Sequence, residues 1–334
     1  MTKPNPNAAN MDVVTSNGGQ FSAVGGVAQR LLQSGFNVNE LRTQDVLRKD
    51  EWIQFDEKVV EIATQRLVAV ADLMSRGLTY NVPNALGVTR VEWETQSDLG
   101  PASVSMNGLT VGQNDRPEYT LNGLPLPIIH KDFQINLRTL ESSRKLGQPL
   151  DTTGAQLAAR IVSEKIEELL FDGSTIAGTG FTIPGYTTHT NRNTGSTTAS
   201  WATSTGDQIV TDVLAMIAQA VGDHMYGPYM LYCSTAAMVN MGDDYKAESD
   251  KTILQRVQEI PNIAGVRGTE YLTNDEALLV QMTSDVVDMV DGIQPMVVMW
   301  ESHGGFLINF KVLAIMVPRV KADRSGQSGI VHYT

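Results

Sequence analysis

The stretch from residue 78 to residue 127 constrains the fold more than any other part of the chain. Within it, VTRVEWET alternates: Arg90, Glu92 and Glu94 fall on one face, and Thr89, Val91 and Trp93 on the other. That period of two predicts a half-exposed strand. QSDLGPASVSMNGLTVGQNDRP follows, rich in Gly, Ser and Asn, and reads as a flexible tip. EYTLNGLPLPIIH is a second extended run. The two runs predict a long two-stranded excursion. An isolated hairpin is marginally stable in water, so a long one is expected to lie on another subunit.

Two helical patterns flank the excursion. In EWIQFDEKVVEIATQRLVAVADLMSRG the apolar positions Trp52, Phe55, Val59, Ala63, Leu67, Val70 and Met74 recur at steps of three and four, which predicts one helix over 51–77. Asp50 suits its N-cap and Gly77 its C-terminal stop. TTGAQLAARIVSEKIEELLFDG predicts a second, over 152–173. Thr153 to Gln156 has the capping-box pattern. Leu157, Ile161, Val162, Ile166 and Leu169 form its apolar stripe, and Arg160, Glu164, Lys165, Glu167 and Glu168 its outer face. Residues 1–50 are poor in pattern and predict an extended arm with one helical turn near Val27 to Leu32. Residues 174–205, rich in Gly, Thr, Ser and Asn, predict a mobile loop.

From 206 onward helices and strands alternate: helix 207–222, strand 229–234, helices 235–242 and 252–260, then short strands at 277–282, 286–290 and 296–300. GGFLINFKVLAIMVPRV predicts a pair of buried strands, the second limited by Pro318. The pattern is α+β, helices on a mixed or antiparallel sheet, without internal repeat.

Composition narrows the function. Lys and Arg number 25 against 37 Asp and Glu, a formal net charge of −12. Such a chain does not hold nucleic-acid phosphates through its overall field, because that affinity comes from cationic contacts. No apolar run approaches the roughly 20 residues that span a bilayer. The start, MTKPNPNAANMDVV, lacks the apolar core of a signal peptide. A single cysteine forms no internal disulfide and fits a reducing compartment. Together these point to the cytoplasm and to no membrane contact.

Candidate chemistry is thin. Cys233 follows an apolar run in GPYMLYCSTAAMVNM, where a nucleophile on a strand-to-helix turn is exposed in many hydrolases. It lacks flanking glycines, and the nearest histidine in sequence, His224, stands beside Asp223. A small buried hydrophobe is the preferred reading. The histidines (His130, His189, His224, His303 and His332) show no metal-ligand spacing. Asp243–Asp244 and the near-helically spaced Asp285, Asp288 and Asp291 can offer oxygen ligands but lack the glycine and final Glu of a calcium loop. Gly178 to Gly185 departs from both phosphate-loop spacings. The methionines read as core filler. No catalytic, cofactor-binding or metal-binding residue is expected, and no enzyme.

Four segments in order resemble the major capsid proteins of tailed bacteriophages, the Hong Kong 97-type fold, and within it the encapsulin-like branch. VLRKDEWIQFDEKVVEIATQRL resembles the encapsulin start. FQINLRTLESSRKLGQPLDTTGAQLAARIVSEKIEELLFDG resembles the strand, short helix and long spine helix of the peripheral domain. GPYMLYCSTAAMVNM resembles the axial-domain strand-to-helix unit, and ILQRVQEIPNIAGVRGTEYLTNDEALLVQM the axial helix with its following strands. The resemblance covers most of residues 46–317. It implies an N-terminal arm (1–50), a peripheral first helix (51–77) and an extended β-hairpin loop (78–127). It further implies a peripheral domain (128–205) with a spine helix (152–173) and flexible loop (174–205), an axial domain (206–291), and return strands with a C-terminal tail (292–334).

The function implied is self-assembly of pentamers and hexamers into an icosahedral shell enclosing double-stranded DNA, without sequence-specific binding. The alternative is an encapsulin-type compartment storing a cargo enzyme. The arm before the first helix and the tail VKADRSGQSGIVHYT favour the phage capsid. A separate scaffolding protein, a portal and a decoration protein are the partners implied, and a virion assembled in the host cytoplasm the location. Candidate contacts between subunits are Arg90, Glu92, Trp93, Glu94, Arg116, Glu118, Leu124 and Leu126, with Leu109 and Val111 from the excursion. Residues 78–130 contain no lysine, so the loop-borne isopeptide crosslinks of some family members are not expected.

Overall fold

The computed structural model describes residues 49–97, 99, 102, 104, 106, 116–145, 152–176, 178–246, 250–323 and 325–334. The expected arm with its turn near Val27 to Leu32, and Leu109 and Val111, lie outside these residues.

In chain order the elements are α1 (Lys49–Arg66), α2 (Ala69–Ser75), β1 (Thr79–Asn81), β2 (Arg90–Gln96), β3 (Tyr119–Pro125), β4 (Ile129–Asn136), α3 (Leu137–Lys145) and α4 (Thr153–Phe171). Then come β5 (Ser174–Thr175), β6 (Thr182–Ile183), β7 (Asn193–Gly195), α5 (Gly206–Gly222), β8 (Tyr229–Ser234), α6 (Thr235–Asn240) and α7 (Ile253–Gln258). Strands β9 (Ile263–Thr269), β10 (Ala277–Gln281), β11 (Val287–Ser302), β12 (Leu307–Val320) and β13 (Ile330–Tyr333) complete the described chain.

Two sheets organise the molecule. One has four strands in the order β1-β11-β12-β4, and the other five in the order β7-β13-β10-β8-β9. Helices α1, α2 and α4 cover one face of the first, where Val287, Met289, Val297 and Met299 meet Phe310, Val312 and Leu73. The other face carries Val290, Val298, Ile315 and Val317 and packs on the root of the β2–β3 hairpin. In the five-stranded sheet, Tyr229, Leu231 and Cys233 face α5, α6 and α7. The alternate residues Met230 and Tyr232 join the core around α4. Both strand sets are apolar on both faces, so each reads as a continuous hydrophobic run. β11 keeps its alternation through a double register shift: Ile293 is displaced between Asp291 and Met296, and the second shift restores the original faces.

Several expectations are corrected. The helix over 51–77 is broken at Leu67 and Val68. The cause lies 98 residues away, where the buried Glu167 carboxylate accepts hydrogen bonds from Ala69 N (2.6 Å) and Val70 N (3.3 Å). It supplies the acceptor that a fresh helix start requires. On α4 the stripe is rotated. Leu157 is 50% and Ile161 43% exposed, whereas Ala155, Ala158, Ala159 and Glu167 are buried. The small alanines let α1 approach closely, and size rather than periodicity picks the contact face. The N-cap is Thr152, one residue before the expected box, with Gln156 Nε2 donating to Thr152 Oγ1 at 3.4 Å.

Residues 183–205, most of the expected mobile loop 174–205, are held rather than loose. Tyr186 and Trp201 are fully buried. Asp212 on α5 accepts from Trp201 Nε1 (2.9 Å) and Thr198 N (3.1 Å). β7 pairs in parallel with β13. That pairing also corrects the tail: Ile330–Tyr333 is an interior strand between β7 and β10. Residues 287–302 form one strand of the four-stranded sheet rather than two short strands partly in the axial unit. Pro318 stays inside β12, opposite Met289. It is tolerated because β4 pairs with β12 only as far as Ala314, leaving that edge without a ladder to break.

Candidate functional site

The candidate surface is built on β2 and β3, which pair antiparallel from Arg90 opposite Pro125 to Gln96 opposite Tyr119. The ladder continues at both ends, with Leu126 N donating to Thr89 O and Ser97 N to Glu118 O, each at 2.9 Å. Inter-strand side chains reinforce it, Asn122 Nδ2 donating to Thr95 Oγ1 at 2.9 Å. Register then decides which residue faces where.

Arg90, Glu92 and Glu94 share one exposed face, as their alternation predicts. Arg90 Nε stands 3.3 Å from Glu92 Oε1, and its guanidinium crosses Gly123, where an added Cβ would lie 2.4 Å from Arg90 Cζ. Glycine is required there for the arginine to lie flat. Arg116 and Glu118 are exposed just before β3. Trp93 is half-buried on the opposite face, with the Arg319 guanidinium 5.4 Å from its ring centre and 4.5 Å from that of Tyr80. Leu124 and Leu126 are 2% and 6% exposed and lie in the subunit's own core with Leu169 and Ile183. Burial leaves those two leucines no face for a neighbour.

Sequence reasoning missed Tyr119 and Leu121, which are 61% and 58% exposed. They stand beside Glu94 and Gln96 on the charged face. Their parity, odd where Leu124 and Leu126 are even, was the available signal. Other exposed apolar side chains include Leu157 and Ile161 on α4, Leu214 and Val221 on α5, and Val239 on α6. Under the hairpin a cleft of about 430 Å³ is lined by Trp93, Asn122, Thr182, His189, Lys321 and Asp323.

The remaining candidates resolve as structure. Cys233 is fully buried, its Sγ 3.7 Å from Arg267 O, and burial pushes the thiol up to about 12, which suppresses the reactive thiolate. Ser234 Oγ accepts from Ala237 N at 3.1 Å and caps α6. Asp288 is not part of a helical acidic face. It is buried on β11, accepts from Arg319 Nε at 2.8 Å and lies 2.7 Å from Lys321 Nζ. Gly178 and Gly180 lie between β5 and β6, which form a small antiparallel pair. Among the described residues no group of three or more His, Cys, Asp or Glu side chains is placed to hold a metal ion, and no helix is long and apolar enough to cross a membrane.

The model of one protein family, described as "Family of unknown function (DUF6260)", matches residues 39–333. The chain belongs to that family. The DUF6260 chain is 25% identical over 283 residues to the type 1 encapsulin shell protein EncA of Myxococcus xanthus, covering 83% of this chain and 91% of that protein. It is 25% identical over 281 residues to a diheme-cytochrome-encapsulin shell fusion protein of Kuenenia stuttgartiensis, covering 84% and 72%. Its structure resembles that of a virus-like particle from Pyrococcus furiosus, with a TM-score of 0.58 at 16% identity over 83% of this chain and 98% of that one. It also resembles the capsid of Myoviridae phage XM1, with a TM-score of 0.58 at 13% identity over 78% and 90%. The fold is the Hong Kong 97-type capsid fold, as the order of segments predicts, and the sequence relatives are of the encapsulin-like branch.

Proposed function

We propose that this DUF6260 protein is a structural shell subunit that assembles with copies of itself. The observation that carries the reading is the hairpin β2–β3, which holds Tyr119, Leu121, Arg90, Glu92 and Glu94 on a face that the subunit itself leaves exposed. Obligate interfaces are apolar at the centre, and charges around them fix register more than affinity. Tyr119 and Leu121 supply the first element, and Arg90, Glu92, Glu94, Arg116 and Glu118 the second. Trp93 acts from the opposite face, setting the hairpin's angle against the body.

The finer reading is the major capsid protein of a tailed phage. Pentamers and hexamers close an icosahedral shell around double-stranded DNA in the host cytoplasm, with a separate scaffolding protein and a portal. The likeness to the phage XM1 capsid supports it. So does the net charge of −12, since a shell built from an acidic chain does not grip phosphates through its overall field. The second reading, a compartment around a cargo enzyme, is favoured by the two encapsulin shell relatives.

Negative-stain microscopy of the purified full-length chain, alone and with co-expressed neighbouring genes, tests assembly. Closed particles are expected, and a monomer at high concentration under both conditions overturns the proposal. Nuclease-resistant double-stranded DNA inside particles supports the capsid, and a co-purifying enzyme without DNA the compartment.

A further inference from the structure

The strand β13 is covered on one edge by the three-residue strand β7, and a buried imidazole stands at their seam. His332, register partner of Thr194 across that edge, is 3% exposed. Arg192, just before β7, donates from Nε to His332 Nδ1 at 3.3 Å and from Nη1 to His189 O at 3.0 Å. A guanidinium carries donors only. Nδ1 therefore accepts, and the ring holds its one proton on Nε2. That nitrogen is buried and has no hydrogen-bond partner among the described residues. Glu276 Oε1, from the turn before β10, is 3.8 Å from it, too far for a hydrogen bond. The other oxygen, Oε2, accepts from Thr273 N at 2.7 Å.

We propose that the Arg192–His332 contact is an acid-operated latch, in which a neutral His332 holds β7 on the edge of β13 and a proton on Nδ1 releases it. That proton would set two N–H donors and two positive charges against each other across the present 3.3 Å contact. His332 cannot turn away, because β13 lies between β7 and β10. Arg192 can, because it is only half-buried and leads into an edge strand.

The charged groups that face the ring are Glu276, Arg192 and, from the end of α4, Asp172. Burial disfavours the charged ring most, and Arg192 adds to it. Glu276 and Asp172 oppose them, and the ring is held below the ordinary histidine value. His189 faces Arg192 as well, and its Nδ1 accepts from Asn191 N at 3.3 Å. When β7 lifts away with Arg192, His332 gains water, loses the cation and keeps both carboxylates. The open form therefore takes the proton more readily. The opening constant rises as pH falls below about 6.5, by up to about tenfold per unit, and levels off below the closed-state value.

Hydrogen exchange of amides 193–197 and 334 in the full-length protein, from about pH 7.5 down to about pH 5 and corrected for intrinsic rates, reads this constant. The amides of β8 and β10 report global unfolding. The expected result is a rise below about pH 6.5 at 193–197 and 334, with β8 and β10 unchanged. His332→Gln, which stays neutral, is expected to flatten the profile, and His189→Gln to leave it as in the parent. Arg192→Met removes the opposing cation and is expected to abolish the rise. A flat parent profile, a rise shared by β8 and β10, a rise that survives His332→Gln, or one lost in His189→Gln overturns the proposal. If His332→Gln does not fold, the other profiles decide it, and an unchanged rise in Arg192→Met overturns it.

Discussion

Removing the Asp288 carboxylate tests the ion cluster that locks the hairpin root to the four-stranded sheet. Asp288 and Arg319 are cross-strand partners on β11 and β12, with side chains only 6% and 7% exposed. Arg319 donates to both carboxylate oxygens, at 2.8 and 2.5 Å, and its planar fork lies over Tyr80 and Trp93. Lys321 adds a third contact but also donates to Ser284 O at 2.6 Å. Asp288→Ala strands the guanidinium without a counter-ion, and breaking such a buried pair costs about 3–5 kcal/mol. The two rings and the second acceptor for Lys321 place the expected loss near the lower bound, about 3 kcal/mol. Asp288→Leu with Arg319→Met removes both charges and keeps apolar volume, so it is expected to fall within about 1 kcal/mol of the parent. Urea unfolding followed by fluorescence, at one protein concentration for all variants, measures both. A single variant costing under about 1 kcal/mol, or a double variant as damaged as the single, refutes the reasoning that the cost lies in a stranded charge.

Asp212→Ala releases the Trp201 and Thr198 donors and is expected to cost roughly 3 kcal/mol. Limited proteolysis should cut between residues 187 and 200, and an unchanged digestion pattern counts against the anchoring role. Cys233 is expected to resist iodoacetamide in the native protein at pH 8 and to react once denatured, because burial pushes its thiol up to about 12; stoichiometric native labelling contradicts that. Leu121→Asp, on the exposed hairpin face, is expected to abolish particles in electron micrographs while leaving circular dichroism unchanged, and particles at parental yield remove the hairpin from the interface. Mature particles should run as a single band on a denaturing gel, since residues 78–130 contain no lysine; a ladder of covalent multimers overturns that expectation.

What was legible in the sequence is what depends on neighbours along the chain. The period of two in VTRVEWET placed Arg90, Glu92 and Glu94 on one face because a strand's geometry alone sets that pattern. The runs at 229–234 and 277–282 are strands for the same local reason, and Ser234 caps the next helix within three residues. What was hidden depends on partners far away. Glu167 lies one turn from Ser163, Leu170 and Phe171 on α4, whereas Glu168 lies one turn from Glu164 and Lys165. The wheel thus sets it apart, but the amides it meets belong to residues 69 and 70, far away in sequence. Tyr333 looked like a tail because its strand partners are Ala277 and Gly195, neither near it in sequence.

The same contrast bears on the shell role proposed above. Long-range closures concentrate at the joint between the sheets and at the hairpin root, and each rests on a buried carboxylate: Glu167 and Asp72 at the first, Asp288 at the second. The apolar cores on either side would pack in many slightly different ways, since burial is proportional to area and weakly directional. A buried carboxylate with two or three fixed donors accepts one geometry and penalises the rest by the cost of an unpaired charge. A shell needs its subunits alike in angle as well as stable, because a small error in the angle between layers repeats at every contact. In this chain large apolar cores lie on either side of the joints, and the three buried acids bridge them through fixed donors.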